Sequence, residues 1–204
     1  TTLVIALIDY KAGNLTSVRK ALAAVGAEVY TPERADDLTR ARGIIVPGVG
    51  HFAATAALDD AWLQQIHRHV ADGKALLGIC LGMQFLYESS EEAPGLRGLG
   101  LLDGACFRLR PPAAAGLKVP HVGWNDLDLV RPETIASQIP NHSQVYFTHS
   151  YVAPVTADTV AATGHGQTFA SVAQRGRVAG VQFHPEKSGD VGLQFLRNFL
   201  ATVH

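Results

Sequence analysis

The chain has 204 residues, 47% of them hydrophobic and 17% charged, with a formal net charge of −1. That length supports one substantial core, and the near-neutral balance excludes the basic surplus that nucleic acid or an anionic membrane would recruit. Its two cysteines, Cys80 and Cys106, exclude a disulfide framework and a cysteine zinc site and point to a reducing, cytoplasmic setting.

From the start, residues 3–8 form an apolar run that stops at Asp9, too short for a signal-peptide core or a membrane span. Such a run reads as a strand covered on both faces. A loop through Gly13 follows, with Asn14 as a helix cap, and then Leu15, Val18, Leu22 and Val25 at helical spacing up to Gly26. Short strands are expected over 28–30 and 43–46. After Pro47-Gly48-Val49-Gly50 comes a helical region ending at Gly73, with Trp62, Leu63, Ile66 and Val70 on one side. Residues 75–79 read as a buried strand and 81–88 as a helix start. The alternation of strand and helix implies a largely parallel, right-handed wound sheet.

Beyond residue 100 the character changes. Runs over 101–109, 119–130, 145–155, 160–162, 169–174 and 178–183 read as strands without long helices between them, with turns at 164–166 and 175–177. Val191, Phe195, Phe199 and Leu200 then mark the apolar face of a closing helix. The expected fold is one α/β domain over 1–204, a mixed and largely parallel sheet flanked by helices in the flavodoxin manner, with an antiparallel extension. The nine histidines are scattered, His67 and His69 fall on different faces of a helix, and no His-Glu-x-x-His pattern occurs. No metal and no cofactor are expected.

One stretch organises the rest. In Gly78-Ile79-Cys80-Leu81-Gly82 a cysteine stands between glycines at a strand-to-helix corner. Glycines suit a sharp bend and a close approach of two segments, and a helix N-terminus at the sulfur favours the thiolate. Cysteines in apolar segments are commonly buried as small hydrophobes, which is the reading for Cys106. The flanking glycines and helix start make Cys80 a candidate nucleophile instead. Such a nucleophile needs a base, an orienting group and oxyanion donors. In Gln182-Phe183-His184-Pro185-Glu186, His184 and Glu186 follow an apolar strand, and residues i and i+2 of an extended chain point the same way. Gly48, Val49 and Gly50 read equally as an ordinary turn or, with the Leu81 amide, as oxyanion donors. Gln84 lies one turn beyond Cys80, where it is either solvated or within reach of a substrate.

Gly78 to Gln84 in the pattern Gly-Ile-Cys-Leu-Gly-Met-Gln, with His184-Pro185-Glu186 downstream, resembles the class I (triad) glutamine amidotransferase family. Pro47-Gly48-Val49-Gly50, Pro120-His121-Val122-Gly123-Trp124-Asn125 and Tyr146-Phe147-Thr148-His149-Ser150-Tyr151 resemble, within it, the glutaminase subunits of imidazole glycerol phosphate synthases of histidine biosynthesis. The resemblance implies that Cys80 attacks the side-chain amide of L-glutamine, with His184 as base and Glu186 orienting it. A glutamyl thioester forms, and ammonia passes to a (β/α)8-barrel cyclase subunit in a heterodimer. It further implies oxyanion donors at Leu81, Gly48, Val49 and Gly50, substrate contacts from Gln84, Glu92, His149, Ser150 and Tyr151, and a partner interface near Asn14, Pro120 and Trp124. A glutaminase serving another synthase, such as the pyridoxal phosphate or anthranilate systems, would keep the triad and replace the 121–125 stretch. A flavodoxin-like binding module with Cys80 as redox sensor would need a phosphate loop after the first strand, where Asp9-Tyr10-Lys11-Ala12-Gly13 is a poor cradle.

Overall fold

The structure, a computed structural model, describes residues 4–204; of the expected first strand, Leu3 lies outside the described residues. The first half alternates β1 (Val4–Leu7), α1 (Leu15–Ala24), β2 (Glu28–Tyr30), β3 (Gly43–Val46), α2 (Asp60–Ala71), β4 (Ala75–Ile79) and α3 (Leu81–Phe85). The second half is mostly strand: β5 (Ser89–Ser90), β6 (Ala105–Arg108), β7 (His121–Asp126), β8 (Asp128–Leu129), β9 (Gln144–His149), β10 (Tyr151–Val152), β11 (Thr159–Gly164), β12 (Thr168–Arg175) and β13 (Val178–Val181), before the closing α4 (Gly189–Ala201).

An eight-stranded sheet runs in the order β2-β1-β3-β4-β13-β12-β11-β8. It is parallel from β2 to β13 and antiparallel from β13 outward. Strands β3, β4 and β13 are buried along their whole length, which is why their sequences read as unbroken apolar runs rather than alternating ones. Their side chains still divide by face: Ile5, Leu7, Ile45 and Leu77 pack with Val18 and Leu22 of α1 and with Phe195 and Phe199 of α4. Ala6, Ile8, Ile44 and Leu76 pack with Ile66 of α2 and Met83 and Phe85 of α3. Covering both faces closes a three-layered α/β domain.

Local chemistry sets the helix starts. Asn14 caps α1 by accepting from the Thr16 amide at 3.0 Å, and Asp59 caps α2 by accepting from the amides of Ala61 and Trp62. Residues 86–88 leave the helix predicted there, so α3 is little more than one turn. Its exposed carbonyls are taken by the following loop: the amides of Leu99 and Leu102 donate to the carbonyls of Phe85 and Leu86. That duty, shared by the Leu101 amide, removes residues 101 and 102 from the strand expected over 101–109, which shrinks to β6. The expected strand over 119–130 breaks at the fully buried Leu127 into β7 and β8, which join different sheets. β7 pairs antiparallel with β9 as a separate two-stranded ribbon standing over the carboxyl ends of β4 and β13, with the His184 amide donating to the Tyr146 carbonyl at 2.9 Å.

Candidate active site

Cys80 sits at the corner between β4 and α3 with φ 54° and ψ −109°. This left-handed backbone is rare for any residue other than glycine and costs on the order of 1–3 kcal/mol. The neighbouring glycines are required by contact. A Cβ on Gly78 would lie 2.4 Å from the Gly82 carbonyl oxygen, and one on Gly82 would lie 1.7 Å from that of Val46. Both are backbone atoms with nowhere to retreat. The corner is therefore wedged between two strands.

The β4–β13 register, with Ile79 opposite Val181, brings the candidate base His184 toward the candidate nucleophile Cys80. The Cys80 amide donates to the Val181 carbonyl at 2.8 Å, so the next residue, Gln182, faces the sulfur. Its Nε2 lies 3.5 Å from Sγ. Two residues further, His184 is buried, and its Nδ1 is 2.8 Å from Glu186 Oε1. The chain between them is not extended as expected. Pro185–Lys187 forms a 3-10 turn closed by the Ser188 hydroxyl donating to the His184 carbonyl at 2.6 Å, and this curl folds the carboxylate back onto the imidazole. Burial alone would lower the His184 pKa, but the Cys80 sulfur and the Glu186 carboxylate outweigh it and hold the ring above its ordinary value. The outward Nε2 is buried without a hydrogen-bond partner among the described residues. A buried nitrogen so placed is equipped to exchange a proton with a reacting group.

A cavity of about 260 Å³ opens beside the sulfur, lined by Gly50, Cys80, Leu81, Gln84, Glu92, Pro120, Thr148, His149, Ser150 and Tyr151. All five residues expected at the substrate are there. Gln84 Nε2 donates to the Tyr151 carbonyl (2.9 Å) and to Gln182 Oε1 (3.1 Å), committing both amide hydrogens. Glu92 Oε2 accepts from the Phe52 amide at 2.9 Å. Pro120, expected at the partner interface, lines this cavity. A second cleft of about 110 Å³, bounded by Asn14, Gly48, Val49, His184, Glu186 and Lys187, reaches the other side of the triad. Trp124 stands outside both, 57% exposed on β7 and edge-to-face with Tyr146 at 6.0 Å.

Of the four expected oxyanion donors, the amides of Leu81 and Val49 are engaged elsewhere, and Gly48 meets Leu81 through its carbonyl. The Leu81 amide donates to the Gly48 carbonyl at 3.2 Å, and the Val49 amide donates to the Ala12 carbonyl at 2.8 Å. Gly48 C=O and Val49 N–H belong to one peptide group, so a single flip of that group would release the Leu81 donor and turn the Val49 donor inward together. Gly48 (φ 143°) supplies the freedom such a flip needs. Tyr10 anchors the loop from behind, its hydroxyl donating to the Pro47 carbonyl at 2.5 Å.

Gln182 is the site residue that reading the sequence overlooked. Its signal was available: it precedes His184 by two, and alternation along a strand puts i and i+2 on one side. His121 is another, buried at 4% exposure with Nδ1 2.9 Å from His149 Nε2. Burial lowers His121 to about 4 and His149 to about 3, so both are neutral at ordinary pH.

A family model for class I glutamine amidotransferases matches residues 6–203. The imidazole glycerol phosphate synthase subunit HisH of Moorella thermoacetica is 47% identical, the match covering 96% of this chain and 93% of that one. Proteins of the same name from Xanthomonas euvesicatoria and Bacillus cytotoxicus are 45% and 41% identical, covering 96% and 98% of this chain and 96% and 95% of theirs. Among solved structures, a glutamine amidotransferase superposes with TM-score 0.75 at 21% identity over 98% of both chains, and PurLQS from Thermotoga maritima with 0.72 at 19% over 100% of both. At that identity the two structures speak to the fold.

Proposed function

The chain belongs to the class I glutamine amidotransferase family, and on that premise we propose that it is the glutaminase subunit of an imidazole glycerol phosphate synthase, hydrolysing L-glutamine for histidine biosynthesis. The observation that carries the proposal is the strained Cys80 corner set beside His184 and its buried Glu186 partner, at the mouth of a glutamine-sized cavity.

Cys80 Sγ attacks the side-chain amide carbon of glutamine as the thiolate, its proton already resting on His184 Nε2, where the raised pKa favours the imidazolium. Glu186 accepts from Nδ1–H, fixes the tautomer and favours the imidazolium. The tetrahedral intermediate carries its charge on the former amide oxygen, where the Leu81 amide and, after the peptide flip, the Val49 amide stabilise it. Collapse breaks the C–N bond, His184 protonates the departing nitrogen, and ammonia leaves a glutamyl thioester on Cys80. Water then attacks the thioester, giving its proton to His184, which returns it to sulfur as glutamate departs. Gln84, Glu92 and the backbone of 149–151 hold the amino-acid end of the substrate. No cofactor enters these steps.

Ammonia released here is delivered to a (β/α)8-barrel cyclase subunit docked on the face carrying Asn14, Trp124 and the outer mouth of the second cleft. The exposed Trp124 suits an interface anchor, and Pro120 at the cavity rim lies close to that face. The whole of 1–204 acts as one glutaminase domain. No helix among the described residues is long and apolar enough to cross a membrane, in keeping with cytoplasmic work, and nothing in the charge balance invites nucleic acid.

Cys80→Ala tests the reading. In complex with its cyclase it is expected to lose glutamine-dependent synthesis while keeping synthesis from free ammonia. Retained glutamine hydrolysis would remove Cys80 from the chemistry, and loss of the ammonia-dependent reaction would make its role structural.

A further inference from the structure

The glutamine cavity is backed by polar groups whose hydrogens run from Asn125 inward to the Tyr151 carbonyl, where a second donor, Gln84, meets them from the side of the nucleophile. Asn125 Nδ2 donates to the Gly164 carbonyl at 2.9 Å and lies 3.2 Å from His121 Nε2. The amide cannot be turned over, because Asn125 Oδ1 accepts from the Asp126 amide at 2.8 Å. His121 Nε2 is therefore an acceptor, and a neutral His121 carries its hydrogen on Nδ1. That hydrogen meets His149 Nε2 at 2.9 Å, so His149 in turn carries its own on Nδ1, 3.1 Å from the Tyr151 carbonyl. The same carbonyl accepts from Gln84 Nε2, whose second hydrogen goes to Gln182 Oε1, and Gln182 Nε2 faces the Cys80 sulfur. One amide at the surface ribbon thus fixes each donor and acceptor as far as the Tyr151 carbonyl, the wall that Gln84 shares. His165 stacks on His121 at 4.1 Å with its Nε2 tied to the Lys118 carbonyl at 2.7 Å, closing the outer side.

We propose that His121, oriented by Asn125, is a positioning residue for glutamine: it touches neither substrate nor sulfur, but locks His149 in the Nδ1–H form that holds the Tyr151 carbonyl and the Gln84 carboxamide at the cavity wall. The proposal rests on reading that cavity as the glutamine site. With the His121 donor removed, His149 is free to move its hydrogen to Nε2. Its Nδ1 lone pair then opposes the Tyr151 oxygen, and the wall that grips the substrate's amino-acid end relaxes. Binding suffers before chemistry does, since His184, Glu186 and the elbow are untouched.

Two measurements decide it. A long-range ¹H–¹⁵N spectrum of the histidine rings at neutral pH is expected to show both His121 and His149 neutral and protonated on Nδ1; an Nε2–H form or an imidazolium at either overturns the relay, whatever the enzyme's substrate. In kinetics with the cyclase complex, His121→Leu is expected to raise KM for glutamine about tenfold, the order of one lost buried hydrogen bond, with kcat within about twofold. His121→Asn places an amide hydrogen where Nδ1–H was and is expected to restore KM to within about twofold of wild type. It loses the same ring stacking as the leucine variant, so the difference isolates the donor. Should His121→Leu fail to fold, Asn125→Asp, nearly isosteric, reverses the hydrogen direction and is expected to raise KM likewise. Unchanged KM in these variants, or equal damage in His121→Asn and His121→Leu, overturns the proposal. A wild-type chain that hydrolyses no glutamine would instead overturn the cavity's assignment and leave the tautomer result standing.

Discussion

Two loops follow neighbouring strands of the sheet and face the same reacting atom, yet they are built on opposite terms. The corner after β4 is wedged: Gly78 and Gly82 sit against backbone oxygens, and Cys80 holds a strained φ because nothing around it can give way. The loop after β3, 47–50, is permissive. Its glycines occupy positive φ, its central peptide points away from the site, and it is held by hydrogen bonds to Tyr10, Ala12 and Leu81 rather than by backbone contact at close range. On the proposed reading the nucleophile is thus in place before any substrate arrives, whereas the stabilisation of the developing charge is withheld. Holding the first group rigid and the second adjustable lets catalysis be switched without moving the cysteine.

The comparison breaks most violently at Gly82. Gly82→Ala places a methyl 1.7 Å from the Val46 carbonyl oxygen, so it is expected to unseat the corner, with glutaminase activity undetectable and a loss of stability above about 3 kcal/mol by urea unfolding. A variant of normal activity would mean the corner is not wedged. Glu186→Gln leaves the corner intact and loosens its base; kcat is expected to fall about a hundredfold with KM little changed, since the carboxylate orients and charges His184 without touching substrate.

Charge on that imidazole offers a milder probe. The folded-state His184 pKa is raised from 6.5 to about 10, so the stabilisation from its charged form is complete below pH 6.5 and disappears as pH rises through about 10. The difference in unfolding free energy between wild type and His184→Gln should shrink across that window; a difference flat with pH would show the ring neutral in the folded state. The gentlest test loosens the permissive loop. Tyr10→Phe removes its tether to the Pro47 carbonyl, and glutamine hydrolysis by the isolated chain is expected to rise a few-fold, the scale of one hydrogen bond. No change would place the loop's restraint elsewhere, at the Val49–Ala12 bond.

The parallel half was legible because each element carried its own signal. Unbroken apolar runs gave the bounds of β3 and β4, and Asn14 marked the first residue outside α1. Legibility failed where tertiary duty overrode local pattern. Residues 101 and 102 look like strand but bend to satisfy the end of α3, and Leu127 splits a run in two because its side chain is needed in the core while its neighbours pair with different sheets. Within the site, Cys80, His184 and Glu186 stood out by residue type and spacing. Asn125 and His121 did not, since their roles exist only through the register of β7 with β9, and Gln182, though in phase with His184 along its strand, meets the sulfur only through the register of β4 with β13. The state of the Gly48–Val49 peptide lay beyond the sequence altogether, because glycine permits either orientation.

The placement of β13 has one more consequence. It pairs in parallel with β4 on one edge and antiparallel with β12 on the other, so the seam that joins base to nucleophile is also where the two architectural halves meet. Everything between residues 80 and 178 leaves this seam and comes back to it. Segments in that excursion can lengthen, shorten or change their outer surface without shifting Ile79 against Val181. On the proposed reading the fold thereby separates inheritance from invention: ammonia-producing chemistry stays registered across one pair of strands, while the outer hairpins and the exposed face of the ribbon, where Trp124 stands, remain open to remodelling for whichever acceptor the ammonia is meant to reach.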